Sequence, residues 1–314
     1  PEHVSTLQAL ELMFTNGTKQ DEIVEILDPL YRMSDQWDKL VQINETLLEK
    51  LEDPYERVAA MHKIAEIYEE KLFDEVHAFN WFGHAVRQMP NDDRSLEDME
   101  RLAESTQGWQ DAVTVYNDVF EAAEEDEVKK DAALRMARVY EEELADADNA
   151  ERTFGKVLEI DGYDPNALEA LDRIYLNYVE WEKLAEILTR RIEVAEVPDD
   201  KIDFCYRLGK VHENHRDDNE AAIKCYQRII EDFDPEHTDS LDSLEAIFFQ
   251  QDDWENLIKI FEKKVDIAMS DTERADLYAK MGVTAAEALD DLERGVELWG
   301  NVLDIRGEDP EALQ

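Results

Sequence analysis

The chain has 314 residues, and 79 acidic against 33 basic side chains give it a formal charge of −46. That balance leaves no basic stripe for a phosphate backbone, so a nucleic-acid partner is set aside. Hydrophobic residues make up 43%, enough for a core, but 10 Gly and 8 Pro are too few for the turns of an all-β fold, which leaves helices.

No stretch approaches the run of apolar residues that spans a bilayer, so no membrane insertion is expected. The opening "PEHVSTLQAL" lacks the basic start and long apolar core of a signal peptide, and a cytoplasmic location is the expectation. Two cysteines, Cys205 and Cys225, argue against a disulfide framework or a zinc site and favour a reducing compartment.

In chain order, residues 1–36 read as a partial unit. Its stretch "DEIVEILDPLYRM" holds Pro29, which removes a backbone hydrogen bond and predicts a kink, an interruption or a local bend. At Trp37 the chain writes "QWDKLVQINETL". The same opening returns as "GWQDAVTVYNDV" at Trp109, "EWEKLAEILTRR" at Trp181 and "DWENLIKIFEKK" at Trp254, with the tryptophans 72, 72 and 73 apart. These openings mark units at about 37–108, 109–180, 181–253 and 254–314. Inside each unit apolar residues recur three and four apart, the period of a helix. Breaks at Asp53-Pro54, Pro90, Asp164-Pro165, Pro198, Asp234-Pro235 and Asp309-Pro310 predict helix starts, with proline in the first turn and aspartate as the cap. Four helices fit each unit, so the module is a hairpin of about 36 residues, repeated about eight times along one continuous array over residues 1–314.

Counted from each tryptophan, one position holds Ala65, Ala137, Gly209 and Gly282, and another holds Ala78, Ala150, Ala222 and Gly295. Small residues there let helix backbones approach, because a lone hairpin cannot hide its apolar face and must stack on its neighbours. A third position holds Phe82, Phe154, Tyr226 and Trp299. With Trp37, Trp109, Trp181 and Trp254, these aromatics are expected to fill the gaps as core anchors.

The set Leu208, Gly209, His212, Ala222, Tyr226 and Pro235 resembles the tetratricopeptide repeat, and Met136, Ala137, Tyr140, Ala150, Phe154 and Pro165 repeat it. The tryptophan-bearing hairpins depart from that pattern. They put an acid, Asp28, Glu100, Asp172 or Glu245, where a small residue follows the leucine. The resemblance covers nearly the whole chain, is similar to long acidic bacterial multi-repeat proteins, and implies a right-handed superhelical solenoid of antiparallel hairpins. It implies a non-enzymatic scaffold that holds a protein or peptide segment on its concave face. It also implies that Lys63, Arg135, Arg207 and Lys280, one cation per unit, look toward that groove, where they could hold an acidic or C-terminal peptide. The alternative for these cations is pairing with nearby acids such as Glu66, Glu69, Glu141 and Glu213.

The acidity has two readings: a surface for a basic partner, or a solvated coat that keeps a long apolar array soluble. Its even spread favours the second. The alternative for the whole chain is self-association, with incomplete terminal repeats stacking end to end into a larger assembly. "HENH", with His212 and His215, lacks zincin spacing. Cys205 and Cys225 occupy core-like positions on the two helices of one hairpin and read as inert thiols rather than a redox pair. No P-loop or dinucleotide motif occurs, so no catalytic residue, metal or cofactor is expected.

Overall fold

The computed structural model describes residues 4–307, and among these it is entirely helical and turn. The Asp309-Pro310 signal and the start of a further helix fall outside the described residues. The chain divides into two compact units, residues 1–167 and 168–314.

The first unit begins with α1 (Val4–Thr15) and continues as the hairpins α2/α3 (Gln20–Met33, Trp37–Leu48), α4/α5 (Pro54–Ile67, Glu75–Gln88), α6/α7 (Asp93–Thr106, Trp109–Ala122) and α8/α9 (Asp126–Arg138, Ala147–Ile160). Each helix packs on the next, and α5 also touches α7, the corresponding helix of the following hairpin. That pattern is the stacking of a solenoid. The division falls within α10 (Pro165–Tyr178). The second unit continues with α11 (Trp181–Val194), α12/α13 (Pro198–His215, Asn219–Arg228), α14/α15 (Thr238–Gln250, Trp254–Ile267) and α16/α17 (Asp271–Val283, Leu292–Arg306). From α11 onward each of its helices again packs on its successor.

Why these segments are helices is visible in which side chains they hide. In α2, Ile23, Leu27 and Tyr31 are buried at intervals of four, one stripe of a helix. Pro29 lies within α2 without ending it, contrary to the expected interruption. The ring and the residue whose carbonyl it deprives of a donor, Glu25, both face solvent, so water can satisfy that carbonyl. The helix-start signals divide in two. Pro54, Pro165 and Pro198 open α4, α10 and α12. Pro90 and Pro235 instead sit in the preceding turns, and the caps are Asp92, accepting from the Ser95 amide, and His237, accepting from the Ser240 amide.

All eight hairpin turns are reversed by a single non-glycine residue in the left-handed region: Asp35, Phe73, Gln107, Ala145, Val179, Asp217, Asp252 and Asp290. After these residues the two kinds of hairpin differ. In the tryptophan hairpins the closing amide reaches five residues back, as Gln36 to Tyr31 at 2.9 Å and Gly108 to Ala103 at 2.8 Å, the Schellman pattern. In the others it reaches six back, as Asp74 to Tyr68 at 2.9 Å and Asp146 to Tyr140 at 2.8 Å. The wider loop is a π-helical last turn, seen at Tyr68–Leu72, Val139–Glu143 and Thr284–Ala288. The residue after it, Asp74, Asp146, Asp218 or Asp291, then caps the return helix. These four acids recur with the period of the tryptophans, so part of the negative charge is spent on helix ends, where it offsets orphan amides.

The small positions are buried without exception. A Cβ added at Gly209 would stand 2.5 Å from the Tyr226 ring, and one at Gly282 would stand 2.8 Å from the Trp299 indole. Units that carry alanine there, Ala65 and Ala137, carry the smaller Phe82 and Phe154 at the facing position. The two positions therefore share one volume. Phe82, Phe154 and Tyr226 are fully buried. Trp37, Trp109, Trp181, Trp254 and Trp299 are only half-buried. The first four open α3, α7, α11 and α15 and lie against neighbours: Lys71 over the Trp37 ring at 5.9 Å, His215 stacked on Trp181 at 3.7 Å, Phe249 edge-on to Trp254 at 5.7 Å.

Candidate functional site

The four cations expected along a groove all stand on first helices, α4, α8, α12 and α16, and each meets the acid 35 residues earlier. Lys63 Nζ lies 3.4 Å from Asp28, Arg135 3.0 Å from Glu100, Arg207 2.6 Å from Asp172 and Lys280 3.4 Å from Glu245. The acids that replace the small residue in the tryptophan hairpins are thus the second half of the same periodic feature. Two features noted separately in the sequence are one ladder of ion pairs, each joining the first helices of consecutive hairpins.

Every acid of the ladder holds a second donor. Asp28 also accepts from Arg32 at 2.6 Å, Glu100 from the Tyr116 hydroxyl at 2.5 Å, Asp172 from Arg191 and Glu245 from Lys264. Burial pushes the Asp28 carboxyl up, but the hydrogen bond from Arg32 and the charge of Lys63 outweigh it and hold the carboxyl below its ordinary range. For Tyr116, burial and the bond to Glu100 push the phenol far above its usual value. Asp172 is 3% exposed and depends on its two guanidiniums, because a buried carboxylate without partners is costly. Arg191 additionally lies over the Phe204 ring at 4.0 Å.

Three of the acids proposed as alternative partners are engaged elsewhere. Glu66 pairs with Arg94, Glu69 with Arg101 at 2.7 Å, and Glu213 with Lys210 at 2.9 Å. Sequence distance misled here, since neighbours on one helix competed with a residue a whole hairpin away. The usable signal was the constant spacing of 35 between acid and cation in all four units.

Beside the ladder the first helices leave clefts. One, of about 170 Å³, has Leu96, Tyr116, Val119, Asp131, Ala132 and Arg135 among its walls. Another, of about 520 Å³, has Leu241, Asp242, Glu245, Lys264, Asp276, Leu277 and Lys280. Leu96 corresponds to Leu241, Val119 to Lys264, Asp131 to Asp276, Ala132 to Leu277 and Arg135 to Lys280 by repeat position. The clefts are therefore one site written twice, once in each unit. In the larger, Asp242, Glu245, Glu273 and Asp276 outnumber Lys264 and Lys280, so the wall is net acidic even though a ladder cation stands on it. A third cleft, of about 550 Å³ between α1, α2 and α3, has Glu11, Glu45 and Glu49 against Lys39. What these walls can do is hold an apolar group between helices and present carboxylates beside it.

His62, His212 and His215 are packing groups. His62 is buried, 2.6 Å from Ser95 Oγ and 3.3 Å from Asp92. His212 touches Arg216 and His215 stacks on Trp181. Among the described residues no group of His, Cys, Asp and Glu is arranged to hold a metal, and no helix is long and apolar enough to cross a membrane.

The sequence profile of the tetratricopeptide repeat matches residues 131–161 and 206–234, which are α8/α9 and α12/α13. No curated protein sequence matches the chain. Among solved structures it is similar to YrrB, described as a TPR protein with an unusual peptide-binding site, at 18% identity over 58% of this chain and 89% of that one, TM-score 0.34. A tetratricopeptide repeat protein from Parabacteroides merdae is 15% identical over 82% and 95%, TM-score 0.34. The C-terminal part of a repeat-containing protein from Cytophaga hutchinsonii is 12% identical over 98% of both, TM-score 0.34. Likenesses at this level carry no functional weight.

Proposed function

We propose that this tetratricopeptide repeat protein is a non-enzymatic interaction scaffold that holds a basic protein or peptide segment along its first helices. The observation that carries the reading is the cleft that recurs at equivalent positions in both units with a net-acidic wall. A lysine or arginine side chain entering the larger cleft would lay its apolar stem along Ile267 and Leu277 and its charge beside Glu273, since Asp242 and Asp276 already pair with Lys264 and Arg306. The ladder cations, already paired, set the cleft's shape and offer little to an acidic ligand. This replaces the idea of a cationic groove with a mixed one whose surplus is negative.

Affinity capture from the native lysate at low and high salt tests the scaffold. The expected result is a discrete protein whose capture is lost at high salt and weakened by Glu273→Gln. A captured partner indifferent to both changes would remove the basic-segment reading. The second reading is self-association of the repeat array. Light scattering across a concentration series decides it, since a scaffold stays discrete and a stacking protein grows.

A further inference from the structure

Cys205 on α12 and Cys225 on α13 meet across a single hairpin. Both thiols are free and buried, 1% and 9% exposed. The Cys205 thiol donates to the Cys225 carbonyl at 3.7 Å, which sets Cys205 Sγ against the other cysteine. Their closeness is set by packing rather than by chance side-chain motion. One turn beyond Cys205, Gly209 sits under the ring of Tyr226, the residue after Cys225, so the helices cannot slide without a clash. Neither sulfur takes part in the ion ladder or the clefts. Two thiols held in contact by a rigid hairpin have already lost the entropy that closing a disulfide otherwise costs.

From this juxtaposition we infer that Cys205 and Cys225 are an oxidisable dithiol, converted by a hydroperoxide into a disulfide within the hairpin. Contact with Cys225 and the charge of Arg228 hold the Cys205 thiol below its ordinary pKa against burial and the charge of Asp232, while the same contact and burial push Cys225 up. Cys205 is therefore the nucleophile. Its thiolate attacks the outer peroxide oxygen, the O–O bond breaks, and the leaving oxygen departs with the proton that Cys205 gave up. The product is a sulfenic acid on Cys205. The Cys225 sulfur then attacks the Cys205 sulfur, the S–O bond breaks, and hydroxide leaves with the Cys225 proton as water. Two thiols and one hydroperoxide become one disulfide, one alcohol and one water. Hydrogen peroxide is close to water in size, so local openings of the hairpin admit it.

The test is to treat the reduced chain with hydrogen peroxide, alkylate remaining thiols, and measure mass with peptide mapping. The folded chain should lose two hydrogens, with both cysteines becoming unreactive together and dithiothreitol restoring both. On the chain unfolded in urea, where contact is lost, closure of the bridge should lag, so that dimedone captures a cysteine sulfenic acid that does not accumulate on the folded chain. Cys225→Ser should stop at a Cys205 sulfenic acid that dimedone captures. Two free thiols after an exposure that oxidises N-acetylcysteine would overturn the inference. So would sulfinic or sulfonic acid on one cysteine without the bridge, or a bridge between chains, and all three readouts use the unmutated protein.

Discussion

Gly209 and Tyr226 show how a repeat position is chosen in pairs. The ring occupies the place where a Cβ would sit, and the Tyr226 hydroxyl is pinned to Glu213 at 2.7 Å, so the ring cannot retreat. Gly209→Ala should destabilise by about 1 to 3 kcal/mol, the usual cost of overpacking a filled site. Adding Tyr226→Phe frees the ring from Glu213 and recreates the alanine–phenylalanine pairing of the first two units. Urea unfolding of the double variant should show a loss smaller than the sum of the two singles. His62 supplies a pH dependence. Burial lowers its pKa from the ordinary 6.5, and that outweighs the opposing charge of Asp92, with Arg94 also lowering it and Asp98 and Glu66 raising it. The unfolded chain therefore binds a proton that the native ring resists, and stability is full above about pH 6.5 and falls as pH drops through the folded value. Asp92, whose own carboxyl is lowered chiefly by Ser95 against the pull of burial, loses its contribution only at more acidic pH. His62→Gln should flatten the stability curve below about pH 6.5 relative to the parent chain. An unchanged slope would assign the dependence to other groups.

Between elements, the ladder decides which helices are held by charge and how strongly. Lys63, Arg135 and Lys280 keep between 38 and 55% of their side chains exposed, and such pairs contribute about 0 to 1 kcal/mol each. Asp172 is different, because its buried carboxylate has two guanidiniums and can lose one. Arg207→Ala alone should cost about 1 kcal/mol, whereas Arg191→Ala with Arg207→Ala should cost about 3 to 5, since the second removal leaves a buried charge unpaired. Thermal unfolding of the two singles and the double checks it, and additive losses would mean water already reaches the carboxylate. Much at this scale was legible beforehand. The tryptophan openings, the starts at Pro54, Pro165 and Pro198, and the small positions follow from local pattern, because a helix is specified by neighbours three and four residues away. The αL turns were not legible. Val179 or Phe73 at positive φ contradicts local preference, and only the packing of the two helices on either side imposes it.

For the molecule as a whole, net charge opposes compactness, and the spread of acids along the chain makes the opposition general. Raising ionic strength from about 10 to 150 mM shortens the Debye length from about 30 to 8 Å. The melting temperature should rise across that range, because repulsion among unpaired acids is screened more than the close pairs are weakened. A falling temperature would make the ion pairs the dominant electrostatic contribution. What the sequence by itself determined is the all-helical hairpin array and its period, since apolar spacing, small residues and caps are local and recur in register. What only the tertiary structure decided is which charges meet. The partner of each ladder cation lies 35 residues back and faces it solely because the intervening hairpin folds back on itself. For the same reason Cys205 finds Cys225, and the clefts acquire acidic walls that no single helix contains.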